Sequence, residues 1–600
     1  MRKQWMRIML AGAVAAALAS GCGSRTDTAA TQASSAEADA GIESGQTEGA
    51  ESSQQAAPAE AEENSAGQAE EQQSSAADGP TVEAGPDIAV TDTQSGKVQG
   101  YISNGIYTYH GIPYAQADER FTEAHEVEPW EGVRMAFDYG PISPQEAAGA
   151  IPGGDNMDNN CQNLNIWTPG INDGGKRPVM VWLHGGGFST GSSIEQAYYD
   201  GENLSRKGDV VVVSVNHRLN VLGHLNLSQY GEQYKNSGNV GITDIIDALQ
   251  WVQDNIENFG GDPDNVTVFG ESGGGAKVLA LMTSPYASGL FHKGIVESGA
   301  TETMGVIFMT EEASERVTEL TLEKLGITAD RIDELQTISY EELTAASNEA
   351  LIQTGEEMQI PAALGEGYSL SWEPVVDGDF LPTDPVTEDS FAEAGRDIPL
   401  LIGSNLNEWE TVELMSNQAE TQYDNKTTWT EEETRQRLEE KYGDQTDAVV
   451  EAFLAAYPHR TAADALYVDS TVIRLPMLKI MSHKADQGGA PVYAYMFNWE
   501  SPVLPGTIMA FHTSEIPFVF NNIDKAVMQI GGGEDARRIE DAMSQAWINF
   551  ARTGDPSTEE MEWPAYTREG GATMIFDTIQ EVVYNHDKEL ISLLAPDYEY

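Results

Sequence analysis

The chain has 600 residues, with 33 Lys and Arg against 96 Asp and Glu and a formal net charge of -63. That length holds material for a large buried core. The charge argues against nucleic acid as a partner, because phosphates would be repelled and no basic stripe offsets the repulsion; the acidity reads as a solvated surface with an acidic tail.

The first segment, "MRKQWMRIMLAGAVAAALASGCGS", sets Arg2, Lys3 and Arg7 before a short apolar run that ends in small residues and Cys22. This predicts a signal sequence over 1–21, too short for a comfortable membrane span. "LASGC" resembles a bacterial lipobox, which implies that Cys22 becomes the lipidated first residue of an exported lipoprotein, anchored at the cell surface or in the periplasm. From 22 to 86 the chain is Ala, Glu, Gln, Ser, Gly and Thr, with no Lys or Arg between Arg25 and Lys97 and no aromatic between Cys22 and Tyr101. Such a stretch buries too little apolar surface to offset its ordering entropy, so a disordered tether is expected, followed by one domain over 87–600. Only Cys161 remains as a second cysteine, so a lipidated Cys22 leaves no intrachain disulfide.

Past the tether, short apolar runs alternate with longer amphipathic ones, which predicts an α/β fold with a sheet and crossover helices. "PVMVWLHGGGF" reads as a buried strand over 179–183 that ends in glycines. Acyl transfer needs preorganised N–H donors where a carbonyl oxygen turns negative, and Gly186 and Gly187 offer them with no Cβ in the way. No Lys-Ser/Thr follows these glycines, as a P-loop would require. A second strand falls near 210–215. Ile242, Ile245, Ile246, Leu249, Val252 and Ile256 then recur at helical spacing until "GGDP" stops the helix. A strand over 266–269 and a helix over 276–282 bracket Gly270, Ser272 and Gly274, the G-x-S-x-G pattern of a nucleophile elbow. Ser272 is therefore the candidate nucleophile, and the N–H of Gly273 a third oxyanion donor. Between 301 and 320, Met304, Phe308 and Met309 read first as core and second as a border of the acyl pocket.

In hydrolases with this elbow an acid and then a histidine follow in the chain. His459, His483, His512 and His586 all lie far enough along. His459 and His483 fall in helix-like stretches and His586 near the last residues, whereas His512 follows the strand-like "APVYAYMFNWE". For the acid, Glu408 stands just past a buried strand over 399–403, at the edge where open α/β sheets gather catalytic groups. Asp377 and Asp397 are the alternatives.

Beyond the tether, "GKVQGYISNGIYTYHGIPYAQ", "CQNLNIWTP", "VMVWLHGGGF", "VSVNHRLNVLGHL", "NIENFGGDPDNVTVFGESGGG", "FHKGIVESG", "WEPVVDGDFLP", "IPLLIGSNLNEW", "HTSEIPFVF" and "WINFARTGDP" follow one another in an order that resembles the type-B carboxylesterase and cholinesterase family. The resemblance implies an α/β-hydrolase fold with a mostly parallel central sheet and flanking helices. It also implies Ser272 as nucleophile, Glu408 as acid, His512 as base, and an oxyanion hole from Gly186, Gly187 and Gly273, where alanine is usual in the family. The chain departs from the family pattern at Asn159 and Asn160, often Glu-Asp, at His217, commonly Tyr, and in "NEW" for "DEG" around Glu408. Cys161 lacks the disulfide partner of its eukaryotic relatives. The activity implied is that of a serine carboxylesterase acting through an acyl-enzyme on small-molecule esters, with no metal or organic cofactor and no oligomeric state specified. An amidase, carbamate hydrolase or lactonase would use the same groups; a non-catalytic surface binding protein on the same fold is the reading from a different class.

Overall fold

A computed structural model describes residues 81–146, 154–302, 308–362, 367–387, 391–469 and 471–600. The signal sequence, Cys22, the tether up to residue 80 and Met304 lie outside them.

One sheet of twelve strands organises the described residues. In chain order these are β1 (Val82–Glu83), β2 (Tyr101–Ser103), β3 (Ile106–Pro113), β4 (Asn163–Thr168), β5 (Arg177–Leu183), β6 (Val211–Val215), β7 (Gly261–Glu271), β8 (Lys293–Glu297), β9 (Leu400–Asn405), β10 (Val492–Phe497), β11 (Ala572–Phe576) and β12 (Glu581–Tyr584). Side by side they run β1-β2-β3-β4-β6-β5-β7-β8-β9-β10-β11-β12. From β6 to β11 all pairings are parallel. Antiparallel strands extend both edges. The edge strand β1 falls inside the stretch read from sequence as tether.

Parallel strands covered on both faces need apolar residues at every position, and β5 shows why its sequence is a continuous run. Val179, Val181 and Leu183 enter one hydrophobic cluster, Met180 and Trp182 the other. Helices α1 (Val240–Asn255) and α2 (Gly273–Thr283) add to the first cluster. Helices α3 (Glu311–Leu325) and α4 (Tyr340–Met358) pack together around a third cluster. Helix α5 (Arg474–Gln487) returns to the first face, and α6 (Glu534–Thr553) covers the second. Phe308 and Met309 are buried in these clusters.

Two boundaries differ from the sequence reading, each for a local reason. β7 begins at Gly261 rather than near 266, because Gly261 pairs opposite Arg177 before the register shifts to Val266 opposite Val179. α2 begins at Gly273, three residues before its apolar face starts, through glycines whose low helix propensity hides the first turn. Around the unpaired, buried Cys161, Asn159 Nδ2 donates to Ala117 O and Asn160 Oδ1 accepts from Ala117 N, both at 2.7 Å. The fully buried Arg218–Asp244 pair (2.6 Å) receives Gln162 Nε2 as a further donor at 3.1 Å. Hydrogen bonds thus hold the segment around Cys161 without a disulfide.

Glu297, the last residue of β8, is buried, and Trp547 of α6 donates Nε1 to its Oε1 at 2.7 Å. Burial pushes this carboxyl up to about 8, against the opposing effect of the indole hydrogen bond. An unfolded glutamate titrates near about 4.3, so between these values the folded state keeps a proton that the unfolded chain has released. The stabilisation is complete below the lower value and is lost as pH rises through the upper one. The neutral isostere Glu297→Gln escapes this loss. Thermal unfolding of both proteins is expected to show the variant's Tm gaining on wild type by about 3 °C or more between pH 5 and pH 8; a pH-independent offset contradicts the assignment.

Candidate active site

β5 lies between β6 and β7; the chain leaves β5 toward β6 and leaves β7 toward β8, so these connections diverge to opposite sides at the strand ends, where α/β sheets bind ligands. Leu183 pairs with Gly270 and Glu271 with Glu297, which brings the ends of β5, β7 and β8 together. Ser272 follows β7 with φ 56° and ψ -123°, a strained conformation that costs on the order of 1–3 kcal/mol. Its N–H donates to Glu297 O at 2.8 Å, and its carbonyl accepts from Ala276 N at 3.1 Å as the first turn of α2. The surrounding glycines are required by contact. A Cβ at Gly274 would collide with the Leu183 carbonyl, and one at Gly273 with the peptide of Gly187.

The loop after β5 holds Gly186 and Gly187 at φ +83° and +60°. The Gly186 carbonyl turns away to accept from Thr190 N (3.1 Å) and Ser189 N (3.3 Å). Among the described residues, the N–H groups of Gly186, Gly187 and Gly273 donate to no protein acceptor. Gly273 N–H also stands at the positive end of α2.

Glu408 lies three residues past β9 and His512 beyond β10, and the two segments join through a parallel bridge of Glu408 with Phe511. His512 N donates to Glu408 O at 3.2 Å. The side chains meet at 2.6 Å, His512 Nδ1 to Glu408 Oε2. Glu408 Oε1 accepts from Asn405 N and Ser298 Oγ, each at 2.7 Å. With Nδ1–H on the carboxylate, Nε2 is left as the acceptor. That nitrogen faces the elbow, 3.2 Å from Oε1 of Glu271 without hydrogen-bond geometry. No hydrogen bond joins it to Ser272 among the described residues. The indole of Trp409 covers the imidazole with ring centroids 4.5 Å apart at 34°.

Three more buried carboxyls surround this pair. Burial, and then the charge of neighbouring carboxylates, pushes Glu271 and Glu515 well above the usual range. Glu297 is raised by burial as described. Glu515 Oε2 accepts from Asn405 Nδ2 at 2.6 Å.

The other sequence candidates stand elsewhere. His459 is exposed. His483 is buried on α5, and His586 is half-buried with its Nδ1 3.7 Å from Asp587. Asp377 accepts from Asp379 N and Leu381 N inside its own turn, and Asp397 is exposed beside Arg396. His217, in place of the family's tyrosine, stacks on His184 at 5.1 Å. Sequence reasoning missed Glu271, Ser298 and Trp409 as neighbours of the pair. A usable signal existed in "KGIVES", where a buried strand ends in two polar residues beside the elbow. Among the described residues no cluster of three or more His, Cys, Asp or Glu side chains is placed to hold a metal ion.

The model of the carboxylesterase family matches residues 87–590. A para-nitrobenzyl esterase of Bacillus subtilis is 35% identical over 512 residues, 83% of this chain and 96% of that protein. A phenmedipham hydrolase of Pseudarthrobacter oxydans is 31% identical over 501 residues, 81% of this chain and 94% of that one. An esterase from Clostridium hathewayi, described as able to hydrolyse aliphatic aromatic polyesters, superimposes with a TM-score of 0.74 at 37% identity, covering 85% of this chain and 98% of its own. With this sheet, this elbow and similarity over most of its length, the chain belongs to the carboxylesterase family.

Proposed function

We propose that the protein is a serine carboxylesterase in which Ser272 attacks the ester carbonyl, His512 moves the proton and Glu408 orients the imidazole. The observation that carries this reading is the 2.6 Å bond between His512 Nδ1 and Glu408 Oε2, with Nε2 turned to the elbow of Ser272. Nε2 takes the hydroxyl proton as Oγ attacks. The oxyanion is received by the N–H groups of Gly186, Gly187 and Gly273. His512 then passes the proton to the leaving alcohol, and water resolves the acyl-enzyme through the same nitrogen. Glu408 stabilises the imidazolium while three donors fix its own position: Asn405 N, Ser298 Oγ and His512 Nδ1. The serine–histidine hydrogen bond forms as the substrate arrives, because catalytic hydrogen bonds that are long or unmade in the free enzyme are completed in the substrate complex.

Turnover of a short-chain aryl ester tests the three roles. Ser272→Ala and His512→Ala are each expected to lower kcat by about 10⁴-fold or more, because the members act as a unit. Glu408→Gln keeps the shape, loses the charge, and is expected to cost on the order of 10³ to 10⁴ in kcat with KM nearly unchanged. A Ser272→Ala protein with a tenth of wild-type kcat overturns the nucleophile assignment.

We further propose that Cys22 carries the lipid anchor of an exported bacterial lipoprotein and that residues 22–80 act as its tether. The support is the charged, apolar, small-residue order before Cys22. Acyl chains contribute about 0.8 kcal/mol per buried CH₂, and stable attachment takes more than one chain. Cys22→Ser is expected to lose the lipid mass and to leave the membrane fraction while keeping kcat/KM on soluble esters. An unlipidated wild-type protein by intact mass contradicts the anchor.

A further inference from the structure

Lys277 lies on α2, five residues after Ser272, and is fully buried. Its Nζ donates to His184 O at 2.9 Å and to Gly187 O at 3.0 Å. These carbonyls bracket the loop that carries Gly186 and Gly187, and among the described residues they accept from no other group. The Nζ also stands 5.5 Å from the ring centroid of Phe188. No ion-pair partner reaches it among the described residues. The charged group that acts on it at longer range is Glu195, which accepts from Tyr199 Oη at 3.2 Å and which burial pushes up to about 7. Facing it from the neighbouring segments are His184, His217 and His224, all pushed down by burial and hence neutral.

An ammonium buried against carbonyls, without a carboxylate beside it, is costly for a fold. Burial pushes Lys277 down to about 7, with Glu195 opposing. An apolar side chain of the same length would fill the space without that cost, so the pair of carbonyls is the reason for a lysine here. We propose that Lys277 is the positioning residue of the oxyanion hole: its Nζ ties both ends of the 184–187 loop to the helix that starts at the nucleophile. One rigid element then sets the distance between the N–H of Gly273 and those of Gly186 and Gly187. Glycine at 273 permits the arrangement, because a Cβ there would meet the Gly187 peptide that Lys277 holds in place. Without the tie, two consecutive glycines at positive φ have many other conformations open to them.

This inference rests on the reading of Ser272 as nucleophile, and its test separates the two. Full-length Lys277→Met keeps the length and removes the donors. Its steady-state kinetics on an aryl ester are measured together with its affinity for an aryl trifluoromethyl ketone, which the enzyme binds as a hemiketal oxyanion. The expected result is a kcat lower by about 10²- to 10³-fold, the range for a lost or misplaced oxyanion donor. KM stays within about threefold, and ketone affinity falls in parallel with kcat. Lys277→Gln, which keeps one donor group, is expected to fall between the two proteins and carries the test if the methionine variant does not fold. Ketone affinity within about twofold of wild type in a folded variant overturns the role of Lys277, whatever happens to kcat. Turnover retained by Ser272→Ala would instead overturn the nucleophile.

Discussion

The in-register pairing of Leu183 with Gly270 sets the end of β5 against the end of β7. Each strand continues into glycines there, and the two backbones approach more closely than any side chain would allow. A Cβ at Gly274 would push α2 off the Leu183 carbonyl, and with it the turn that holds Ser272 at φ 56°. The strained serine, the free N–H groups beside it and the first turn of α2 are consequences of that one contact. The strain is affordable because β7 and β8, buried on both faces, hold the turn from behind through Ser272 N to Glu297 O.

Electrostatics supplies the second constraint. The site gathers Glu271, Glu297, Glu408 and Glu515 in a region with almost no solvent. They do not ionise together. Burial favours the protonated form of Glu271, Glu297 and Glu515, and repulsion from neighbouring carboxylates adds to it at Glu271 and Glu515. Glu408 is the carboxylate that receives a backbone N–H, a hydroxyl and an imidazole N–H. In the proposed mechanism it is this carboxyl, hydrogen-bonded to His512 Nδ1, that steadies the imidazolium.

Much of this was legible in the sequence, and the limits follow from what each signal encodes. The β5 and β7 strands announce themselves because two-sided burial demands unbroken apolar runs, and the elbow because glycine marks close backbone contact. Glu408 and His512 carry no such local mark. Their places after predicted strands and the resemblance to a family singled them out from other carboxylates and histidines, and a 2.6 Å bond now joins them across 104 residues of chain. Ser298, Trp409 and Lys277 escaped because their roles come from tertiary neighbours: the hydroxyl reaches Glu408, the indole covers His512, and the lysine reads as one more polar residue in a helix until its two carbonyls are seen. The start of α2 was hidden by glycines that helix propensity disfavours and tertiary contact requires.

The account stands or falls on which atom becomes acylated. Incubation of the purified protein with an alkyl fluorophosphonate, followed by peptide mass mapping, reads that atom directly. The account predicts a single adduct per chain, on Ser272 within "VTVFGESGGGAK", formed in step with the loss of esterase activity. Complete inactivation with the adduct on any other residue, or full labelling of Ser272 with activity intact, would contradict it.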